Sequence, residues 1–184
     1  MNRAADVAGA AVGLAIAALA TKLQDGGPVL FRQKRVGKDG VEFELLKLRT
    51  MVVGAEGMGA GLAVNRGDTR ITRTGRLLRK LSLDELPQLW NVVRGEMSVI
   101  GPRPTLRYQV EQYDERQRHR LDVKPGITGW AQVNGRAVLP WAERIELDVW
   151  YVEHRSPLLD AKILARTPFA LFGGTYKGAT GGWR

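Results

Sequence analysis

Two adjacent carboxylates, Asp84 and Glu85, stand in the stretch LSLDELPQLWNVVRGEMSVIGPRP. A carboxylate that stays ionised at neutral pH is a nucleophile needing no separate base, and a neighbouring carboxylate suits a divalent cation that bridges phosphate oxygens. Pro87 is tolerated in the first turn of a helix but not in its interior, so the spacing predicts a helix start close to Asp84. Asp84 would then be the N-cap and Glu85 would lie near the positive end of the helix dipole, a role that accounts for the pair without any chemistry. The same helix end offers free backbone N–H groups to a phosphate, and successive helical side chains point about 100° apart, so the two acids can take different roles.

Basic residues surround this pair in the sequence. Arg79 precedes it, and Arg103 is flanked by Pro102 and Pro104, which restrict the backbone on both sides and present the guanidinium from a fixed base. A fixed guanidinium suits bidentate phosphate binding; a surface ion pair is the plain alternative for either arginine. Lys47 and Arg49 are two apart on a strand-like segment and share a face, which is either a binding face or a solvated one. Trp130 and Trp141 suit a membrane interface or a core equally.

The elements that must position these side chains read as α+β, mainly helical with a short β-hairpin. Val29 to Phe31 and Val41 to Leu48 are strand-like, joined by the turn residues Val36-Gly37-Lys38-Asp39-Gly40. Glycines 54, 57, 59, 61 and 67 mark a surface loop, and no Gly-Lys-Ser/Thr follows to make it a phosphate loop. Ile71 to Leu83 reads as a basic amphipathic helix, a second helix starts near Asp84 and is stopped by Gly95, and 105–121 reads as one charged helix. Lys124 to Gly129 reads as a loop, further helices lie near 140–154 and 158–172, and the glycine-rich tail 173–184 reads as mobile.

The uncharged run Val7 to Ala20 would reach about 21 Å as a helix, short of the roughly 30 Å bilayer core. It is expected to be a membrane-associated helix, re-entrant or interfacial, within an N-terminal segment 1–26; a soluble core helix and a signal peptide are the alternatives. Residues 27–184 are then expected to form one domain that carries the acidic pair, the catalytic one if the pair does chemistry.

Composition narrows the partners. The 184 residues carry a net charge of +9 and a pI near 10.2, which points to anions: nucleic acid, lipid headgroups or phosphorylated small molecules. No zinc-finger, helix-turn-helix or RNP pattern is present, so nucleic acid is not expected as a partner. Cysteine is absent, which excludes disulfides and thiolate metal sites.

Four stretches resemble the bacterial sugar transferases, the monotopic phosphoglycosyl transferases: GPVLFRQKRVGKDGVEFELLKLRTM, TRTGRLLRKLSLDELPQLWNVVRGEMSVIGPRP, RHRLDVKPGITGWAQVNGR and ELDVWYVEHRSPLLDAKIL. The likeness spans about residues 27–172, in long motifs and in order. It implies transfer of a sugar 1-phosphate from a UDP-sugar to undecaprenyl (polyprenyl) phosphate with release of UMP. The setting it implies is the cytoplasmic face of the bacterial inner membrane, at the first membrane step of exopolysaccharide or other glycoconjugate synthesis. Asp84 would be the nucleophile of a covalent aspartyl intermediate, Glu85 would bind Mg²⁺, and Lys47, Arg49, Arg79, Arg103 and Asp160 would bind substrate. Membrane lipids are implied partners; self-association and the identity of the sugar are left open. Relatives carry a longer apolar N-terminal segment broken by Ser-Pro, which is absent here before Pro28, so an interfacial helix is the fallback to a re-entrant one. A non-catalytic scaffold or binding protein of the same family is the alternative reading.

Overall fold

The computed structural model describes residues 17–23, 26–58, 67–135 and 139–172. Residues 17–23 form helix α1, so most of the apolar run expected to meet a membrane lies outside the described residues, as do the tail 173–184 and the middle of the glycine-rich loop. Among the described residues no helix is long and apolar enough to cross a membrane.

The expected hairpin is present and longer on its first side. Strands β1 (Leu30–Val36) and β2 (Glu42–Leu48) pair antiparallel, with Phe31 opposite Lys47 and Val36 opposite Glu42. Side chains alternate across β2: Phe43 and Leu45 pack with Met97, and Leu48 packs on the other side with Ala17 and Leu78. Lys47 falls on the Phe43/Leu45 face. The alternation expected of a half-buried strand therefore carries one charge inward, toward the turn that holds Asp84 and Glu85.

Helix α2 (Arg73–Lys80) starts at Thr72, whose hydroxyl accepts from the Gly75 N–H at 2.9 Å. A Cβ at Gly75 would lie 2.0 Å from the Thr50 carbonyl oxygen. Only glycine lets α2 press this closely on the chain leaving β2. Short helix α3 (Gln88–Val93) follows. Strand β3 (Ser98–Ile100) then pairs in parallel with β4 (Gly126–Thr128), a segment whose sequence reads as a loop. A Cβ at Gly126 would sit 2.1 Å from the Gly101 nitrogen, so the two glycines allow backbone to stack on backbone beside Pro102.

The charged stretch 105–121 is not one helix. It is α4 (Arg107–Val110), α5 (Glu115–Arg118) and a 3₁₀ turn at His119–Leu121, with Asp114 capping α5 in between. The Asp114 carboxylate accepts from the Gln117 N–H at 2.8 Å, which favours a new helix start over continuation. After α6 (Trp130–Val133), helices α7 (Trp141–His154) and α8 (Pro157–Phe172) complete the described residues. Val36, Val110, Tyr113, Ile145 and Val149 form the core that joins the hairpin to α4 and α7.

Candidate active site

Asp84 and Glu85 do not cap a helix. They occupy a 3₁₀ turn, Leu83–Glu85, that begins at Ser82 with φ 53° and precedes α3, whose first residue is Gln88. Pro87 explains the shift. It has no N–H to offer the Leu83 carbonyl, which accepts from Leu86 at 3.3 Å instead and tightens the turn. A serine in the left-handed region costs about 1–2 kcal/mol, and here that strain is stored at the entrance to the acidic pair.

Both acids are buried, Asp84 at 6% and Glu85 at 8% exposure. Glu85 Oε1 accepts from Lys47 Nζ at 3.2 Å and from Arg103 Nη2 at 2.7 Å. One carboxylate oxygen thus gathers a cation from β2 and another from the proline-flanked turn. Burial raises the Asp84 carboxyl above the usual carboxylate range and the Glu85 charge adds to the rise, while Lys47, Arg79 and Arg103 pull it back. Burial likewise lowers the Lys47 ammonium, against the pull of Glu85. Arg79, in the last turn of α2, donates from Nε to the Thr50 hydroxyl at 2.7 Å. Thr50 is the same residue whose carbonyl lies against Gly75 and accepts from Thr72 at 3.0 Å.

The structure therefore brings Lys47, Arg79 and Arg103 around Asp84 and Glu85. Two other expected site residues are placed differently. Arg49, just beyond β2, is buried and donates to the Pro28 carbonyl at 2.6 Å and the Met51 carbonyl at 3.2 Å, which braces backbone. The Asp160 carboxylate, in the first turn of α8, accepts from the Tyr151 hydroxyl at 2.8 Å and links α7 to α8.

Sequence reasoning missed the frame behind Arg103. Four successive carbonyls of its turn are each held by a donor. Pro102 accepts from Gly126 N–H at 2.8 Å, Arg103 from Arg120 Nη2 at 3.0 Å, Pro104 from Arg35 Nη1 at 3.3 Å, and Thr105 from Val36 N–H at 2.8 Å. Arg120 is itself fixed by Asp148 and the Tyr113 hydroxyl, and Tyr113 donates on to the Thr105 hydroxyl at 3.2 Å. A run of charge in 105–121 signals a solvated face; nothing in it singles out Arg120 as buried.

A Mg²⁺ ion typically takes one or two protein carboxylates and completes its octahedron with substrate phosphates and water. Asp84 and Glu85 fit that mode as hard oxygen donors, although Glu85 Oε1 already serves two cations. Among the described residues no group of three or more His, Cys, Asp or Glu side chains could hold a metal without substrate.

The turn chemistry, the paired acids and the converging cations coincide with a family match. The sequence model described as Bacterial sugar transferase covers residues 1–174. The chain belongs to the bacterial sugar transferase family. It is 51% identical over 146 residues to the "Uncharacterized sugar transferase EpsL" of Bacillus subtilis (strain 168), covering 79% of this chain and 71% of that one. It is 46% identical over 162 residues to the "UDP-glucose:undecaprenyl-phosphate glucose-1-phosphate transferase" of Caulobacter vibrioides, covering 84% of this chain and 60% of that one. It is 44% identical over 156 residues to the "UDP-N-acetylgalactosamine-undecaprenyl-phosphate N-acetylgalactosaminephosphotransferase" of Aeromonas hydrophila, covering 82% and 37%. The chain thus spans less than two thirds of the length of the latter two relatives.

Proposed function

We propose that this chain transfers a sugar 1-phosphate from a UDP-sugar to undecaprenyl (polyprenyl) phosphate at the cytoplasmic face of a bacterial inner membrane. The observation that carries the reading is Asp84, buried beside a glutamate that Lys47 and Arg103 hold, in a chain of the sugar transferase family. In the first step an Asp84 carboxylate oxygen attacks the β-phosphorus of the UDP-sugar. The bond from that phosphorus to the bridging oxygen breaks, and UMP leaves with the electron pair. In the second step an oxygen of the lipid phosphate attacks the same phosphorus and releases the Asp84 carboxylate, leaving a sugar diphosphate lipid. Dividing one displacement in two lowers each barrier, and fixed guanidinium groups favour the charge that develops on the phosphoryl oxygens.

Lys47 and Arg103 fix the rotamer of Glu85 and keep Asp84 more readily ionised than burial alone would allow. Arg79, anchored on Thr50, adds a cation on the α2 side. Glu85, with substrate phosphate oxygens, would hold Mg²⁺, which supplies Lewis-acid polarisation of those oxygens when bound. Leu77, Leu89, Trp90 and Val93 are exposed on α2 and α3 near Arg73, Arg76 and Arg94, a mixture that suits an interfacial surface facing anionic lipid.

The test is UMP release from a panel of UDP-sugars in the presence of Mg²⁺ and undecaprenyl phosphate. The reading requires release with at least one sugar and dependence on the lipid for turnover. Absence of UMP with every sugar would leave a non-catalytic binding protein.

A further inference from the structure

Two half-buried arginines near Arg103 make no ion pair among the described residues. Arg35, on β1, donates to the Gln33 side chain at 2.6 Å and to the Pro104 carbonyl at 3.3 Å. Arg144, on α7, lies over the Trp141 ring at 5.3 Å, and its buried Nε has no hydrogen-bond partner. Arg120 lies over the same ring at 5.8 Å and reaches the Arg103 carbonyl, so all these guanidinium groups gather around one turn. Arg103 is offset by Glu85 and Arg120 by Asp148, but among the described residues neither Arg35 nor Arg144 makes an ion pair.

Such crowding is unfavourable without an anion. Burial and the neighbouring Arg103 charge lower the Arg35 guanidinium to about 10, against the pull of Tyr108 and Glu56, and burial with Arg103 lowers that of Arg144 too, although Asp148 opposes the shift. An anion supplied by a ligand would offset that desolvation and relieve the repulsion between the guanidinium groups. The guanidinium fork matches phosphate oxygens, and a phosphomonoester, with three terminal oxygens and a charge of about −1.5 to −2, offers more charge and more acceptors to several forks than a diester does.

We propose that Arg35 and Arg144 flank Arg103 to form a phosphomonoester subsite adjoining Asp84 and Glu85. It rests on the reaction proposed above, in which two phosphomonoesters meet the acidic pair in turn: UMP leaves after the first step, and the lipid phosphate enters for the second. Arg103 connects the subsite to the pair, since its side chain holds Glu85 while its backbone is held from the Arg120 side.

The experiment is equilibrium binding of UMP, uridine and farnesyl phosphate to the full chain by calorimetry, without turnover. Arg35→Gln and Arg144→Gln are each expected to weaken UMP, farnesyl phosphate or both about tenfold, as loss of a charge-assisted hydrogen bond predicts, and to leave uridine unchanged. Arg35→Lys keeps a donor for Pro104 and is expected to lose less. Arg116→Gln, which removes an exposed arginine on α5, should match wild type and controls for net charge. Loss of one phosphate ligand alone assigns the subsite to that source. The proposal is overturned if both phosphate ligands keep wild-type affinity in both Gln variants, if uridine weakens as much as UMP, or if wild type binds neither phosphate ligand. Failure of the proposed reaction shows separately, as absence of UMP release by the wild-type chain with every UDP-sugar.

Discussion

Replacing Arg120 by leucine separates a structural pair from the charges around it. The Arg120 and Asp148 side chains are 3% and 4% exposed, so the substitution strands a buried carboxylate and frees the Arg103 carbonyl. Removing one partner of a buried pair costs about 3–5 kcal/mol, a large share of the roughly 5–15 kcal/mol that holds a domain together. Asp148 softens this by taking up a proton. Burial already pushes its carboxyl up from 3.8 to about 6 against the pull of Arg120. A carboxyl raised in the folded state contributes stability that is full below its unfolded value and is lost as pH rises through the folded one. For Asp148 that loss falls between about pH 4 and pH 6 and is on the order of 3 kcal/mol. The Arg120→Leu penalty should therefore be smaller at pH 5, where Asp148 is largely neutral and loss of the bonds to Tyr113 and the Arg103 carbonyl is what remains, and should grow towards pH 8. Urea unfolding at both pH values measures it. Adding Asp148→Asn should recover much of the loss at pH 8, giving a strong coupling in a double-mutant cycle. A pH-independent penalty, or coupling below about 0.5 kcal/mol, would refute the reasoning.

Gly75→Ala should lower the melting temperature even though alanine is the better helix former by about 1 kcal/mol, because its Cβ meets the Thr50 carbonyl and displaces α2. The same displacement moves Arg79 off Thr50, so kcat/KM in the UMP-release assay should fall by more than stability explains. Lys47→Met removes the largest cationic pull on Asp84, so its raised carboxyl should rise further. In the proposed mechanism the ionised form attacks, so the acid limb of the kcat/KM profile should move to higher pH, and by more than in Arg103→Gln, whose pull on Asp84 is weaker. An unmoved acid limb would remove Asp84 as the group that titrates.

The acidic pair, Lys47, Arg79 and Arg103 were legible because each sits in a stretch with recognisable family text. Their physical setting was less so. Pro87 signals an interruption, yet whether Asp84 caps a helix or sits in a 3₁₀ turn depends on which donor replaces the missing N–H. Arg49 shares a strand parity with Lys47, but β2 ends at Leu48 and its guanidinium turns to backbone carbonyls. The β3–β4 pairing was hidden because the strands are short and remote in sequence, and Gly126 weakens any local strand signal. Arg35, Arg120, Arg144 and Asp148 gain their meaning only from tertiary packing, which no spacing rule encodes.

The covalent step carries the whole account, and mass spectrometry of the intact chain tests it most directly. Wild type mixed with its UDP-sugar and Mg²⁺, with no lipid acceptor, should gain the mass of one sugar phosphate and lose it when undecaprenyl phosphate is added. Asp84→Asn should gain nothing. An adduct that persists in Asp84→Asn, or turnover of that variant at the wild-type rate, would contradict the assignment of Asp84 as the nucleophile.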